Sequence, residues 1–231
     1  MKWKEYWNSS DMIKATDFCK QVGRTTNKKK YSEDQIAILT TRIIEFLQAS
    51  PQKALLELAC GNGMLTYRVA PHFKCIKAID FSKPLIESAK TNFSRENIEY
   101  VVGDAIELDS VQEKYDCILV YFAFQYFNAD QARKMFAHFP RILKPGGRIL
   151  LGDVADGDRV WNFYRGIWGK WRYYSDLLRG KPIIGHWWKP SDLLKLANEQ
   201  GFVLTISYQE PENPNHYFRY DAVLSTSSRT A

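Results

Sequence analysis

The sequence predicts an α/β fold in which a mostly parallel sheet carries helices on both faces. From Lys53 onward, short apolar runs alternate with longer amphipathic stretches, the pitch of parallel strands joined by right-handed crossovers. The run Tyr115–Tyr121 is almost wholly apolar, as expected of a strand covered on both sides. Glycines or carboxylates close successive apolar runs: Gly61 and Gly63 after the first, Asp80 after the second, Asp104 after the third.

Residues 1–53 predict two helices with a polar connection, because Trp3, Tyr6 and Trp7 fall at helical spacing and Ile36–Leu47 is amphipathic. Ala54–Leu58 is the first strand, Gly61-Asn62-Gly63 the turn after it, and Leu65, Val69 and Ala70 mark a helix. Cys75–Ile79 is the second strand, and Ser82-Lys83-Pro84 starts a helix with Ser82 as its cap. Ile98–Val102 and Tyr115–Tyr121 are the third and fourth strands. A helix near Asp130–Phe139 then leads through the turn Lys144-Pro145-Gly146-Gly147 into a fifth, Arg148–Leu151. Pro190-Ser191-Asp192 opens a helix into Leu193–Gly201, and Leu204–Tyr208 and Asp221–Leu224 complete seven strands. The chain reads as a single domain over 1–231: a helical cap (1–53), a ligand-binding core (54–155), an aromatic-rich insertion after strand 5 (156–190) and C-terminal strands (191–231).

Composition narrows the class. An apolar fraction of 45% and a charged fraction of 25% over 231 residues exclude a disordered or disulfide-stapled chain. The longest uncharged run, Cys117–Ala129, has 13 residues, against about 20 for a membrane span. No apolar block suits a secretory signal, and the four cysteines form neither a CxxC pair nor a zinc-spaced cluster. The expectation is a reduced, cytoplasmic protein with no metal and no membrane partner. Lys+Arg outnumber Asp+Glu by ten to six in 1–53 and by seven to three in 156–190, whereas 54–155 balances at twelve each. All seven tryptophans lie outside 54–155. A neutral core thus carries two basic, aromatic attachments, expected to meet above the carboxyl ends of the strands and enclose the bound molecule. A net charge of +6 is modest for tracking phosphates, so nucleic acid is not the expected partner.

Parallel sheets bind ligands beyond the carboxyl ends of their strands. Glu57, Gly61 and Gly63 follow the first strand, Asp80 the second, Asp104 the third and Tyr121 the fourth. Glycines let the backbone approach a ligand, a carboxylate at the next strand end can accept both hydroxyls of a ribose, and a polar group one strand on can read an adenine edge. The constellation predicts an adenosine site. It departs from the dinucleotide fingerprint G-x-G-x-x-G, whose third glycine is Thr66 here.

The segments LLELACGNG (55–63), AIDFSKPLIESAK (78–90), VVGDAIEL (101–108), YDCILVYFAFQYF (115–127) and RILKPGGRILLGDV (141–154) closely resemble the class I S-adenosylmethionine-dependent methyltransferases, in the family's order and spacing. The resemblance implies a Rossmann-like seven-stranded sheet, S-adenosylmethionine as cofactor and S-adenosylhomocysteine as product. It implies that the turn with Glu57, Ala59, Gly61, Asn62 and Gly63 holds the methionine moiety. Asp80, with Phe81, would hold the ribose and Asp104 with Ala105 the adenine, while Tyr121 borders the reacting methyl. Ala59 stands where the family's first glycine usually stands, and Cys60 reads as packing. A subset of the family begins W-x-x-Y-W and continues QVGRT, here Trp3–Trp7 and Gln21–Thr25. On that likeness Tyr6 and Arg24 join the cofactor site, Arg24 pairing with the methionine carboxylate. The alternative is that Tyr6 and Trp7 only pack and Arg24 is solvated.

Nine of the residues in 156–190 are aromatic, enough for a second small core or for the wall of an acceptor cleft. Trp161, Tyr164 and Trp168 are expected on one helical face. Tyr121, Gln125, Trp168, His186 and Trp187 are the candidate acceptor contacts. His186 is the candidate general base, because imidazole exchanges protons near neutral pH, and Asp153 is a weaker one. The expected activity is methyl transfer to an oxygen, or next a nitrogen, of a small molecule of natural-product or sugar-like type. The alternatives are an RNA or protein methyltransferase and a non-catalytic S-adenosylmethionine-binding partner protein.

Overall fold

The computed structural model describes residues 3–8, 17–26, 29–180 and 183–226; residues 9–16 of the expected cap and 181–182 of the expected insertion lie outside them. Seven strands form one sheet: β1 (Ala54–Leu58), β2 (Cys75–Asp80), β3 (Ile98–Val102), β4 (Tyr115–Tyr121), β5 (Leu143–Ala155), β6 (Phe202–Tyr208) and β7 (Arg219–Thr226). Their order across the sheet is β3-β2-β1-β4-β5-β7-β6. The first five are mutually parallel, and β7 runs antiparallel between β5 and β6. The order reverses between β1 and β4, which opens a crevice at the carboxyl ends of those two strands.

The helices are α1 (Trp3–Trp7), α2 (Phe18–Gln21), α3 (Glu33–Leu47), α4 (Met64–Val69), α5 (Lys83–Asn92), α6 (Ala129–Ile142), α7 (Val160–Phe163), α8 (Gly166–Leu178) and α9 (Pro190–Glu199). Side-chain alternation along each strand divides the interior into two layers. Cys117 and Leu119 of β4 face Ile36, Leu39 and Ile43 of α3 and Ile86 of α5. Ile118 and Val120 face Phe136 and Phe139 of α6 and Leu193 of α9. Both α3 and α6 begin with capping boxes, on Ser32 and Asn128.

Several expectations are corrected. Residues 1–53 hold the short helix α2 and a two-residue antiparallel ladder, Thr25–Thr26 with Lys29–Lys30, besides the two helices expected. The predicted turn Lys144–Gly147 belongs to β5, since Leu143 already pairs with Tyr115 and the ladder absorbs the extra residues as a bulge before Cys117. Ser82 heads α5, but its hydroxyl donates to the Trp7 carbonyl at 3.3 Å and caps nothing. Trp161, Tyr164 and Trp168 do not share a helical face. The backbone breaks between α7 and α8, where Gly166 takes a φ of +65°; Trp161 and Tyr164 both meet Tyr173, and Trp168 is turned away from them.

The side of the sheet formed by β5 and β7 also contains a polar cluster. Asp221 of β7 is fully buried; Arg42 donates to its Oδ2 from Nε (3.0 Å) and Nη2 (2.7 Å), and its Oδ1 accepts from the Asp153 amide (2.7 Å) and Gln209 Nε2 (3.2 Å). The Asp153 amide is free for this bond because β5 shifts register against β7 between Leu151 and Val154. Breaking a buried ion pair from one side strands the other charge. Asp221→Ala should therefore lower stability by about 3–5 kcal/mol in urea unfolding; a loss below about 1 kcal/mol would mean that the cluster is solvated.

Candidate functional site

The crevice between the ends of β1 and β4 deepens into a cavity of about 660 Å³ roofed by α1. Each wall follows from the strand that ends there. The end of β1 contributes Glu57, Ala59, Gly61 and Asn62, the end of β2 Asp80 and Phe81, the end of β3 Asp104 and Ala105, and the end of β4 Tyr121 and Phe122. Arg24 enters from the N-terminal segment, and Gln125 and His186 close the far side. The structure thus brings together twelve of the residues singled out from the sequence.

Four others lie elsewhere. Tyr6 is partly exposed and packs edge-on against Trp3 and Trp7, which themselves face inward. Gly63 is not on the cavity wall; a Cβ there would lie 2.5 Å from the Tyr100 hydroxyl, so the glycine serves packing under the loop. Trp187 stacks with Phe163 and Phe218 in a small aromatic core. Trp168 is 80% exposed on α8 and lines no part of the cavity. Trp3, Lys4, Trp7 and Tyr126 line it without having been singled out for it. The i, i+4 pair Trp3 and Trp7 marks the inward face of α1, a signal that spacing alone does not distinguish from the outward Tyr6.

The N-terminal segment is fastened to the loops it covers. Asn62 Nδ2 donates to the Phe18 carbonyl and to Gln21 Oε1, both at 2.9 Å. Gly61 has a φ of +61°, and a Cβ on it would meet Val22 Cγ1 at 2.9 Å, so its bareness first accommodates Val22. Lys4 Nζ donates to Asp104. The backbone is strained where these loops turn: Ala59, Phe122 and Asp153 all hold φ near +60°, a region that favours glycine, and all three lie at strand ends or bulges around the site.

The electrostatics are unbalanced in one place. Arg24 is buried, and its Nε and Nη1 have no hydrogen-bond partner among the described residues. Its guanidinium lies over the Phe122 ring (4.4 Å) and is 3.9 Å from Asp153 Oδ2, beyond hydrogen-bond reach. Glu57 is also buried, with Oε2 unpartnered. Burial raises its carboxyl to about 7, against the lowering effects of the Thr66 hydroxyl and Arg24. Asp80 accepts from the Gly61 amide at Oδ2 (2.8 Å) and the Ser82 amide at Oδ1 (2.9 Å), which leaves each oxygen a free lone pair; burial still raises it to about 6. Asp153 lies within β5, accepts from Gln209 and neighbours Arg24 and Arg219, so it holds arginines in place and does not reach the cavity. Gln125 is held from both ends: its carbonyl accepts from the His186 amide (2.6 Å) and its Oε1 from Arg219 Nη1 (2.7 Å), which leaves its side-chain NH₂ on the side of the Tyr126 hydroxyl at the cavity wall.

Residues 55–147 match the family described as "Methyltransferase domain". The structure of magnesium protoporphyrin IX methyltransferase from Synechocystis PCC 6803, with bound S-adenosylhomocysteine, superposes with a TM-score of 0.70 over 97% of this chain and 98% of that one, at 14% identity. Residues 55–147 thus carry a methyltransferase domain, and the chain shares the fold of that S-adenosylhomocysteine-bound structure. Among curated relatives, the malonyl-[acyl-carrier protein] O-methyltransferase of Priestia megaterium is 33% identical over 45% of this chain, and the chain spans 38% of that protein's length. The demethylmenaquinone methyltransferase of Thermotoga maritima is 27% identical over 71% of this chain and 76% of its own.

The residues present fit the family's cofactor. S-adenosylmethionine ends in a carboxylate and an ammonium, and the cavity offers a buried cation, Arg24, and a buried carboxyl group, Glu57, each with atoms that lack hydrogen-bond partners. An ammonium beside Glu57 would stabilise its carboxylate and lower its pKa on binding, so affinity is full above about pH 7 and falls as the pH drops through that value. The affinity for S-adenosylhomocysteine, measured by calorimetry, should fall up to about tenfold per pH unit below 7, with a buffer-dependent heat of proton release. Glu57→Gln should abolish the fall above pH 6 and leave only that of Asp80. A wild-type affinity that is flat between pH 6 and 8 would remove Glu57 from the site.

Proposed function

We propose that the protein transfers a methyl group from S-adenosylmethionine to an oxygen of a small, largely apolar acceptor. The observation that carries this reading is the far side of the cavity, where the aromatic rings of Trp3 and Tyr126, 4.6 Å apart, adjoin a single neutral base, His186. When bound, the cofactor supplies an electrophilic methyl on a positively charged sulfur, and the protein has to align the acceptor and exclude water. Trp3 and Trp7 on α1 and Tyr126 do the excluding. Gln125, oriented by Arg219, donates to the acceptor, and Tyr121, buried with an unpartnered hydroxyl, borders the transfer path.

His186 sits at the exposed rim, with its ring 4.3 Å from that of Trp188. Partial burial lowers its pKa below the ordinary value, with Asp192 opposing, so the imidazole is neutral at physiological pH and can accept the proton of a hydroxyl or phenol. The two relatives named above carry acyl-carrier and quinone-precursor names, which supports acceptors delivered through an apolar part. Methyl transfer to an amine is the second reading, since a neutral amine needs no base.

Purified protein with methyl-labelled S-adenosylmethionine should label hydroxylated aromatic or acyl acceptors in a screen that includes amines, RNA and protein extract. His186→Ala should lower turnover on a hydroxyl acceptor by about a hundredfold or more. Its S-adenosylhomocysteine affinity should hold, and raised pH should recover the rate as the acceptor ionises by itself. Label appearing only in RNA or protein would overturn the small-molecule reading, and an unchanged rate with His186→Ala on a hydroxyl acceptor would remove the base.

A further inference from the structure

Helix α8 is amphipathic in the reverse sense: its apolar face points away from the protein. None of its 13 residues is buried. Ile167, Trp171, Tyr174 and Leu178 recur at the i, i+4, i+7, i+11 spacing of one helical stripe and are 78%, 63%, 57% and 89% exposed. Trp168, one position off that stripe, is 80% exposed. The inward side is occupied by Gly169, whose Cβ position is 2.5 Å from the Tyr164 backbone, and by Tyr173, which packs on the rings of Trp161 and Tyr164. That side is therefore satisfied; of the stripe, only Tyr174 makes ring contacts, with Tyr173 (5.3 Å) and Trp161 (6.3 Å), and Ile167, Trp171 and Leu178 stay largely exposed.

The charges border the stripe. At 100° per residue, Lys170, over the Trp161 ring at 5.4 Å, falls on one flank and Arg179 on the other, with Arg172 further round toward Asp176 and Arg165 just before the helix. The one acid of the segment, Asp176, is turned inward and lies 3.7 Å from Arg172. We propose that α8 docks the protein on an anionic lipid surface, lying in the plane of the interface with the stripe inserted and the flanking cations at headgroup level. A lipid interface is layered, with anionic headgroups above hydrocarbon, and matches a convex ridge whose apolar crest carries cations on both sides. Tryptophan and tyrosine are the side chains that such an interface accommodates best. A second copy of the chain would oppose like charges across the stripe, and another protein would have to supply an acidic, apolar-floored groove about 20 Å long. No helix among the described residues is long and apolar enough to cross a membrane, so the attachment is peripheral. The proposal replaces the sequence-based expectation that no membrane is a partner, and it is independent of the acceptor's identity.

The full chain is mixed with vesicles of phosphatidylcholine, with and without phosphatidylglycerol, and sedimented. It should co-sediment with the anionic vesicles, release with rising salt, and show a blue shift of tryptophan emission on binding. Trp171→Ser combined with Leu178→Ser should weaken binding more than tenfold. Arg179→Glu should weaken it about fivefold or more. Unchanged S-adenosylhomocysteine affinity in these variants establishes that they fold. Failure of the folded wild-type protein to bind anionic vesicles overturns the proposal, as does binding that the double variant retains. Self-association that the double variant abolishes, without vesicle binding, would instead assign the stripe to a second copy.

Discussion

Two buried side chains of opposite charge, Arg24 and Glu57, face one cavity with polar atoms that have no hydrogen-bond partner in the described structure. Leaving such atoms unpaired is costly in a low-dielectric interior, and the surroundings are built to hold them. Glu57 is fixed by the β1 ladder between β2 and β4. Arg24 is carried by a segment tied to the loop after β1, Phe18 and Gln21 by Asn62 and Val22 by the bare Gly61, and within that segment the Arg24 amide donates to the Cys19 carbonyl at 2.7 Å. The cavity is thus jointly made by the sheet and by a segment that precedes it in the chain, and neither part encloses it alone.

The same dependence explains the strained backbone. Phe122 holds a φ of +60° with its ring between the guanidiniums of Arg24 (4.4 Å) and Arg219 (4.6 Å), and Asp153 holds +58° beside both arginines. Positive φ at a non-glycine residue persists only where the surroundings over-determine it. Here the determinants are cation–π contacts and the buried Asp221 cluster, which link the ends of β4, β5 and β7 into one support for the cavity wall. The expected meeting of the two attachments is realised in part: a Cβ on Gly185 would lie 3.2 Å from Trp3, and the His186 amide bonds the Gln125 carbonyl, whereas α7 and α8 turn away.

What could be read in the sequence was whatever depends on strand ends. Glu57, Asp80, Asp104 and Tyr121 are adjacent in the chain to the apolar runs that place them, so their convergence follows from the topology of a parallel sheet. The residues that were misplaced depend on side-chain direction. Trp3 and Tyr6 share a helix of five residues, and only the packing of Tyr126 decides which faces in. Trp168 was read by composition, as part of an aromatic cluster, but the break at Gly166 rotates α8 so that half of that cluster faces outward. The resemblance implies a ligand contact for Gly63, whereas Tyr100, distant in sequence, is what requires a glycine there. The arginine–aspartate cluster was not legible at all, since Arg42, Asp153, Gln209 and Asp221 come from four separate elements with no shared spacing.

The central claim is that Arg24 and Glu57 keep polar atoms without hydrogen-bond partners in order to take up the charged amino-acid end of the cofactor. It is tested most directly by comparing the calorimetric affinities of S-adenosylhomocysteine and 5′-methylthioadenosine, which keeps the adenosine and sulfur and lacks both charges. Two charged hydrogen-bonding interactions predict that S-adenosylhomocysteine binds at least about a hundredfold more tightly. Arg24→Met and Glu57→Gln should each narrow the gap from the side of S-adenosylhomocysteine alone. Equal affinities of the wild-type protein for the two molecules would contradict the claim.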